Sequence, residues 1–289
     1  MRIVTLLPSA TEIVASLGAE QAIVGISHEC DQPPSITDRP RVTSSTLPED
    51  IGTRAIDARV VQAMVRGDPL YVVDATRLEA LQPDVVITQA VCQVCAVTQT
   101  QIGMLELLTG TQIVTLQALD FAGMLSDVRL VADAIGRTDE AETLVNELQG
   151  RWDALSEPNP TGPTVLFAEW PDPLWLGGHW VPELISAAGG VDPFGTPGAS
   201  SERSAWSDAM AQDPDIVVFG ACGYDLVQNI ESARPIETGS ARRYAIDANR
   251  LVSRATPALV DALEVLKAIV HDELDGTDPS WVRALAPTG

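Results

Sequence analysis

Lysine is all but missing from this chain: Lys267 is the only one among 289 residues. Lysine and arginine together number 18 against 40 aspartates and glutamates, a formal net charge of −22. So acidic a surface repels phosphate backbones and anionic headgroups, which argues against nucleic acid and membrane surfaces as partners. Long hydrophobic runs are missing too. No 18 uninterrupted apolar residues stand in line, so nothing reads as a membrane span. At the start, Met1 and Arg2 lead into a strand-like stretch over residues 3–7 that Pro8 ends. That is shorter than the apolar core of a signal peptide, about 7–15 residues. Read this way, the chain is expected in the cytoplasm with its four cysteines reduced; a truncated start would instead place it in the periplasm or at the cell surface. Catalytic signatures are absent as well: no G-x-S-x-G, H-E-x-x-H, G-x-x-x-x-G-K-[ST] or G-x-G-x-x-G occurs. Glu169 and Glu29 are candidate acids, with nothing to distinguish them, so a site without an evident catalyst is expected.

What is present is organised around one long helix. Over residues 138–156 the apolar residues Ala141, Leu144, Val145, Leu148, Trp152 and Leu155 repeat with helical period. Thr138 can cap it, Asp139, Glu140 and Glu142 suit its positive end, and Pro158 and Pro160 stop it. At 1.5 Å per residue it would be about 29 Å long. A second helical stretch through Leu125, Val128, Ala132 and Ile135 runs up to it and breaks at Gly136. On both sides short apolar strands alternate with helices. In the first half strands are expected at 3–7, 22–26, 70–73, 85–88 and 113–116, with Ser9 and Asp57 as helix caps. In the second they are expected at 164–168, 216–219 and 244–246. The reading is an α/β protein of two Rossmann-like lobes joined by a single long helix: lobe 1–120, connecting helices 121–160, lobe 161–289. An echo links the halves, since Pro83-Asp84-Val85-Val86-Ile87 and Pro214-Asp215-Ile216-Val217-Val218 are the same local signal.

Ligands of open parallel sheets bind outside the carboxyl ends of the strands. Cys30, the pair Cys92 and Cys95, and Cys222 all follow the end of an expected strand, as do His28 and His179. The C-x-x-C spacing of Cys92 and Cys95 serves redox dithiols and zinc sites. Cys30, His28 or His179 could complete a zinc site only through folding, and two buried, inert thiols are the alternative. The stretch 169–180 reads as the longest special loop, with Trp170, Trp175 and Trp180 and with Trp206 nearby. Such a group suits the wall of a large flat ligand site, or else one or two of the rings plug the lobe's core. His179 suits a metal ligand, a polar contact or a structural hydrogen bond equally.

These residues carry a resemblance that spans nearly the whole chain. The start from Arg2 through Leu7-Pro8-Ser9-Ala10-Thr11-Glu12-Ile13, the segment Val24-Gly25-Ile26-Ser27-His28-Glu29-Cys30-Asp31 and residues 83–88 resemble the first lobe of the cobalamin/iron-siderophore substrate-binding proteins. These are the class III binding proteins of ABC importers. Gly178-His179-Trp180-Val181-Pro182-Glu183-Leu184, Ala188-Gly189-Gly190 and the tail from Ser253-Arg254 to Leu266 are similar to the second lobe, and in particular to the cobalamin-binding subgroup. The resemblance implies a non-enzymatic, monomeric protein that holds cobalamin or a related corrinoid between two lobes, for uptake through an ABC permease or for handling inside the cell. It implies ligand contacts from His28, Glu29, Cys30, Cys92, Cys95, Trp170, Trp175, His179, Trp180, Cys222 and Arg254. Trp175 and Trp180 would stack on a macrocycle, Arg254 would meet its amide or carboxylate groups, and Cys92, Cys95 or His179 could approach a metal. A siderophore, haem or a metal ion are the alternative ligands. A thiol- or metal-dependent enzyme working through Cys92, Cys95 and His179 is the alternative activity.

Overall fold

The computed structural model describes residues 1–48, 52–89 and 110–288. The chain divides into two compact units: Met1–Ala118 with Ala122–Glu147, and Leu119–Phe121 with Leu148–Gly289.

In the first unit, β1 (Ile3–Thr5), β2 (Ile23–Ile26), β5 (Val85–Gln89) and β6 (Gln112–Leu116) form a wholly parallel sheet in the order β2-β1-β5-β6. The first crossover, α1 (Pro8–Ser16), buries Ala10, Ile13 and Val14. Because the chain goes from β1 outward to β2 and returns to β5 on the other side, the strand order reverses at β1, the place where such sheets bind ligands. Ser9 is not the helix cap expected: α1 starts at Pro8, whose missing N–H suits that position, with Leu7 before it and no side-chain cap. Asp57 likewise lies inside α2 (Thr53–Arg66), which begins after Gly52 and ends at Gly67 with a φ of 71°. Asp74 does cap α3 (Ala75–Leu81), accepting from the Arg77 amide. A small antiparallel pair, β3 (Thr43–Ser45) and β4 (Tyr71–Val73), stands apart from the main sheet. The apolar spacing of Ile102, Leu105 and Leu108, closed by Gly110, predicts a further helix, and that stretch lies outside the described residues.

The helices α4 (Phe121–Ile135) and α5 (Thr138–Leu155) fall where the periodicity put them. Of the stripe in α5, Ala141, Val145, Leu148 and Trp152 are buried, and the helix runs from the residues of one unit into those of the other. The lone lysine closes it: Lys267 Nζ donates to the Leu155 carbonyl at 2.9 Å and lies 3.1 Å from Glu157 Oε2. That bond holds Glu157 below the usual carboxylate range. Lys267→Met is expected to cost about 1 kcal/mol, from the charge-assisted bond to the helix's last carbonyl. The unfolding midpoint would then fall by roughly 2–4 °C in a thermal melt.

The second unit has a six-stranded mixed sheet: β7 (Val165–Pro171), β8 (Leu174–Leu176), β9 (Glu202–Arg203), β10 (Ile216–Phe219), β11 (Arg242–Ile246) and β12 (Val282–Leu285), in the order β12-β11-β10-β7-β8-β9. The strands β7, β10 and β11 are parallel, and β8, β9 and β12 pair antiparallel to their neighbours. Its helices are α6 (Val181–Ala187), α7 (Trp206–Met210), α8 (Leu226–Ala233), α9 (Ala248–Leu251) and α10 (Leu259–His271). Five elements, β8, β9, α8, α9 and β12, had no counterpart in the sequence reading. The stretch taken as a loop after residue 168 is a hairpin, β7 continuing to Pro171 and returning as β8. The helix α8 opens with a reciprocal capping box between Asp225 and Gln228, and β12 follows the strand taken as the last. One face of the sheet is sealed by Leu166, Ala168, Leu174, Val217, Phe219 and Ala245.

The echoed Pro-Asp signal has one structural role in both units. Asp84 Oδ2 accepts the Arg2 amide just before β1 at 2.6 Å, and Asp215 Oδ2 accepts the Thr164 amide just before β7 at 2.7 Å. Each carboxylate thus fixes the start of the neighbouring parallel strand. Asp215 also accepts from Thr164 Oγ1, and the Thr164 amide and hydroxyl hold it below its ordinary range. A carboxyl group depressed in the folded state stabilises above its unfolded value and loses that contribution as pH falls through the folded one. The advantage of the native chain over Asp215→Ala in urea unfolding is therefore expected to be full at neutral pH and to close in that acid window.

Candidate functional site

In the second unit the carboxyl ends of β7, β10 and β11 bring together three exit segments. Trp170 leaves β7 and packs against Tyr224 from the exit of β10, ring centroids 5.2 Å apart and tilted by 59°. Trp175 is the cross-strand partner of Trp170, so the two project from the same face of the hairpin. Trp180 stands at the start of α6 and donates from Nε1 to the Val252 carbonyl at 2.8 Å, which fixes the indole against the 251–258 loop. His179 lies 5.6 Å from Trp180 between ring centroids, tilted by 37°. Its φ of 52° is the left-handed conformation, uncommon for any residue with a Cβ, and such strain persists only where the surroundings enforce it. They do: the His179 amide donates to Ala199 O at 2.6 Å and its carbonyl accepts from Gly198 at 2.9 Å. Gly178 beside it has no room for a side chain, because a Cβ there would overlap the backbone of Ser200 and Ser201.

Cys222 is exposed in the β10 exit, its amide donating to Glu169 O at 3.0 Å. The adjacent Gly223 amide donates to Ser253 Oγ at 2.8 Å, and the Asn249 amide to Tyr224 O at 2.9 Å. Arg254 is buried and donates from its guanidinium to Asn249 Oδ1. Six of the residues singled out from the sequence, Trp170, Trp175, His179, Trp180, Cys222 and Arg254, thus belong to these exit segments of one unit. Tyr224, Asn249 and Ser253 join them. Tyr224 could have been found two residues past Cys222 in the same turn; Asn249 gave no sequence signal. Trp206 is a core plug, its Nε1 donating to Pro171 O and its ring 5.9 Å from Phe219. Burial pushes the Tyr224 phenol above its usual range.

The first unit presents a different set. His28 and Glu29 follow β2. His28 Nδ1 is 2.7 Å from Thr43 Oγ1 and its ring 5.2 Å from Tyr71. Nε2 is buried without a hydrogen bond, and the exposed Glu29 carboxylate lies 3.2 Å away. Cys30 is 1% exposed, and its sulfur sits 3.0 Å from Thr11 Oγ1, itself 2.6 Å from Thr5 Oγ1. That thiol is packed under α1 and closed to solvent. Cys92 and Cys95 lie outside the described residues, so a site built on them has no geometry here. Among the described residues no three or more His, Cys, Asp or Glu side chains are placed to hold a metal ion. No described helix is long and apolar enough to cross a membrane.

A cavity of about 480 Å³ lies elsewhere, at the amino ends of β7, β10 and β11, lined by Thr161, Asp213, Asp215, Ser240 and Arg242 among others. It is at the opposite end of the strands from the aromatic group, and Asp215 there is already committed to Thr164.

A profile of the periplasmic binding protein family matches residues 3–258. Among solved structures the chain is similar to the periplasmic heme-binding protein RhuT from Roseiflexus sp. RS-1 in apo form. The TM-score is 0.68 at 19% identity, covering 94% of this chain and 98% of that one. A periplasmic heme-binding protein from Pseudomonas aeruginosa gives 0.68 at 21% identity, over 100% of this chain and 99% of its own. The periplasmic vitamin B12 binding protein BtuF of Vibrio cholerae gives 0.60 at 17%, over 94% and 97%. Likeness at these identities speaks for the fold. No curated protein matches the sequence at a significant level.

Proposed function

The chain belongs to the periplasmic binding protein family, and from that premise we propose that it binds a corrinoid of the cobalamin type without catalysing a reaction on it. The observation that carries this reading is the rim of the second unit, where Trp170, Trp175, Trp180 and Tyr224 stand together with Asn249, Ser253 and Arg254. Aromatic faces supply large rigid area at little entropic cost, and the amide, hydroxyl and guanidinium suit a periphery of carboxamides. Charge supports the same choice. A net −22 protein opposes approach of a dianionic haem more than that of a corrinoid whose edge is largely neutral. The rim is held by backbone and side-chain hydrogen bonds before any ligand arrives, as suits a binding protein. An importer's permease is the partner that this role would require.

Titration of the purified chain with hydroxocobalamin, followed by the corrinoid absorbance and by comigration in gel filtration, tests the proposal. Hemin in a parallel titration serves as competitor. Saturable uptake of hydroxocobalamin that hemin does not displace supports it. No uptake, or preferential uptake of hemin, overturns it.

A further inference from the structure

Glu169 is the extra residue of a β-bulge. Along the β7–β8 ladder Ala168 pairs with Leu176 and Trp170 with Trp175, so Glu169 has no cross-strand partner and its side chain is re-aimed. The carboxylate reaches two loops at once: Oε2 accepts from the Gly178 amide at 3.0 Å and Oε1 from Ser201 Oγ at 2.8 Å. Its own carbonyl accepts the Cys222 amide at 3.0 Å. One residue therefore ties the hairpin that carries Trp170 and Trp175, the turn that carries His179 and Trp180, the loop around Ser201, and the exit of β10. An acceptor with two oxygens is what two converging donors need. A shorter aspartate or an apolar side chain would leave the Gly178 amide and the Ser201 hydroxyl without this partner.

We propose that Glu169 is a positioning residue of the binding rim. From the bulge it holds the His179–Trp180 turn in register with Trp170 before ligand binds, and it acts on affinity through those residues rather than by touching ligand. The inference rests on the reading of this rim as the ligand site. Order established in advance lowers the cost of association, so its loss speeds dissociation.

The test uses the full chain with Glu169→Ala, Glu169→Gln, Ser201→Ala and, as a stability control, Val217→Ala in the middle of β10. Glutamine can accept from Gly178 through Oε1 and donate to Ser201 Oγ through Nε2, so it should restore what alanine loses. Expected for hydroxocobalamin is a Kd about tenfold weaker in Glu169→Ala, carried by the dissociation rate. Ser201→Ala should be intermediate, and Glu169→Gln and Val217→Ala close to the native value. Hydrogen exchange of the ligand-free chain should quicken over residues 177–180 and 196–201 in Glu169→Ala and, to a lesser degree, in Ser201→Ala, but not in Glu169→Gln or Val217→Ala, with residues 216–219 still protected in the Glu169 and Ser201 variants. An unchanged Kd in Glu169→Ala overturns the proposal, as does an equal loss in Val217→Ala at a matched unfolding midpoint. Should the native chain take up no hydroxocobalamin, the corrinoid reading falls and exchange alone decides on Glu169. Faster exchange restored by glutamine then sustains it, and unchanged exchange overturns it.

Discussion

Phe219→Ala is expected to remove about 3–5 kcal/mol from the stability of the second unit, the range for truncating a large buried aromatic. The side chain is 1% exposed at the end of the central strand β10. It packs in the cluster with Leu166, Ala168, Leu174 and Val217, and Trp206 lies against it. The Arg243 guanidinium lies over the same ring, 5.4 Å from its centroid. Arg243 keeps its carbonyl partners Ala233, Ile236 and Ala286 after the substitution, but it would then border a cavity. Burial already lowers its pKa. All six tryptophans of the chain fall within the residues of this unit. Tryptophan emission during urea unfolding therefore reports on it alone. The expected result is a midpoint moved far to lower urea with the slope unchanged; a loss below about 1 kcal/mol would mean that the core collapses to fill the space. The strand leads directly into Gly220-Ala221-Cys222, so the aromatic rim should loosen along with it.

Trp170→Ala is expected to weaken hydroxocobalamin binding roughly 30-fold, the effect of about 2 kcal/mol that central aromatic anchors carry. Trp170 is only partly buried, is backed by Tyr224 and faces the same side as Trp175, so truncation removes rim area, which on the proposed reading meets ligand, without opening a core cavity. Trp170→Phe keeps a ring on the same backbone and should retain most of the affinity. Trp206→Phe should do the reverse. That indole is anchored on the Pro171 carbonyl among core residues, so its loss lowers the unfolding midpoint and leaves Kd near native. Isothermal titration on the three variants beside thermal melts separates the two behaviours. If Trp170→Ala and native chain bind alike, the ligand does not rest on this rim.

The chain crosses from the first unit's residues into the second's and back around residues 119–121. A carboxylate binds the residues before this stretch and another binds its end. Asp127 accepts from the Gln117 and Ala118 amides, and Glu183 from the Phe121 amide at 2.8 Å. Phe121 in turn stacks on Trp152 of α5, centroids 4.0 Å apart. Desolvation raises the pKa of both acids despite those amide bonds, so burial costs more here than the hydrogen bonds return. Asp127 drew no notice in the sequence, since it lies in the middle of a helical stripe, and Glu183 stood there only as one residue of a family-like motif.

Much of this molecule was legible from local pattern. Short apolar, β-branched runs placed the strands, because strands of a parallel sheet are buried on both faces, and a period of 3.6 placed the long helix. The repeated Pro-Asp signal marked equivalent strands in the two units, and the structure adds the reason: each aspartate clamps an amide across the sheet. The misses have physical causes as well. A cap depends on the φ and ψ of the residue before the helix; Pro8 takes the first helical position, so Leu7 rather than Ser9 stands at the cap, without a side-chain bond. The hairpin β7–β8 was hidden because a proline-rich stretch with widely spaced tryptophans looks like a loop until a partner strand is known. The strand β12 pairs with β11 some forty positions away, a choice that no local window contains.

By itself the sequence determined the alternation of strands and helices, the long connecting helix, the acidic surface, and the clustering of tryptophan, histidine and cysteine just past strand ends. These follow from hydrophobic period, composition and spacing, which act over a few residues. Only the tertiary structure decided which of those side chains share one rim, that Cys30 is sealed beneath α1, and that Trp206 fills a core. It also decided that Glu169, one residue out of step in a strand, joins the loops around His179 and Ser201. The physical reason is that such matters depend on which distant segments lie side by side, and strand order and bulge position are settled by packing across the whole sheet.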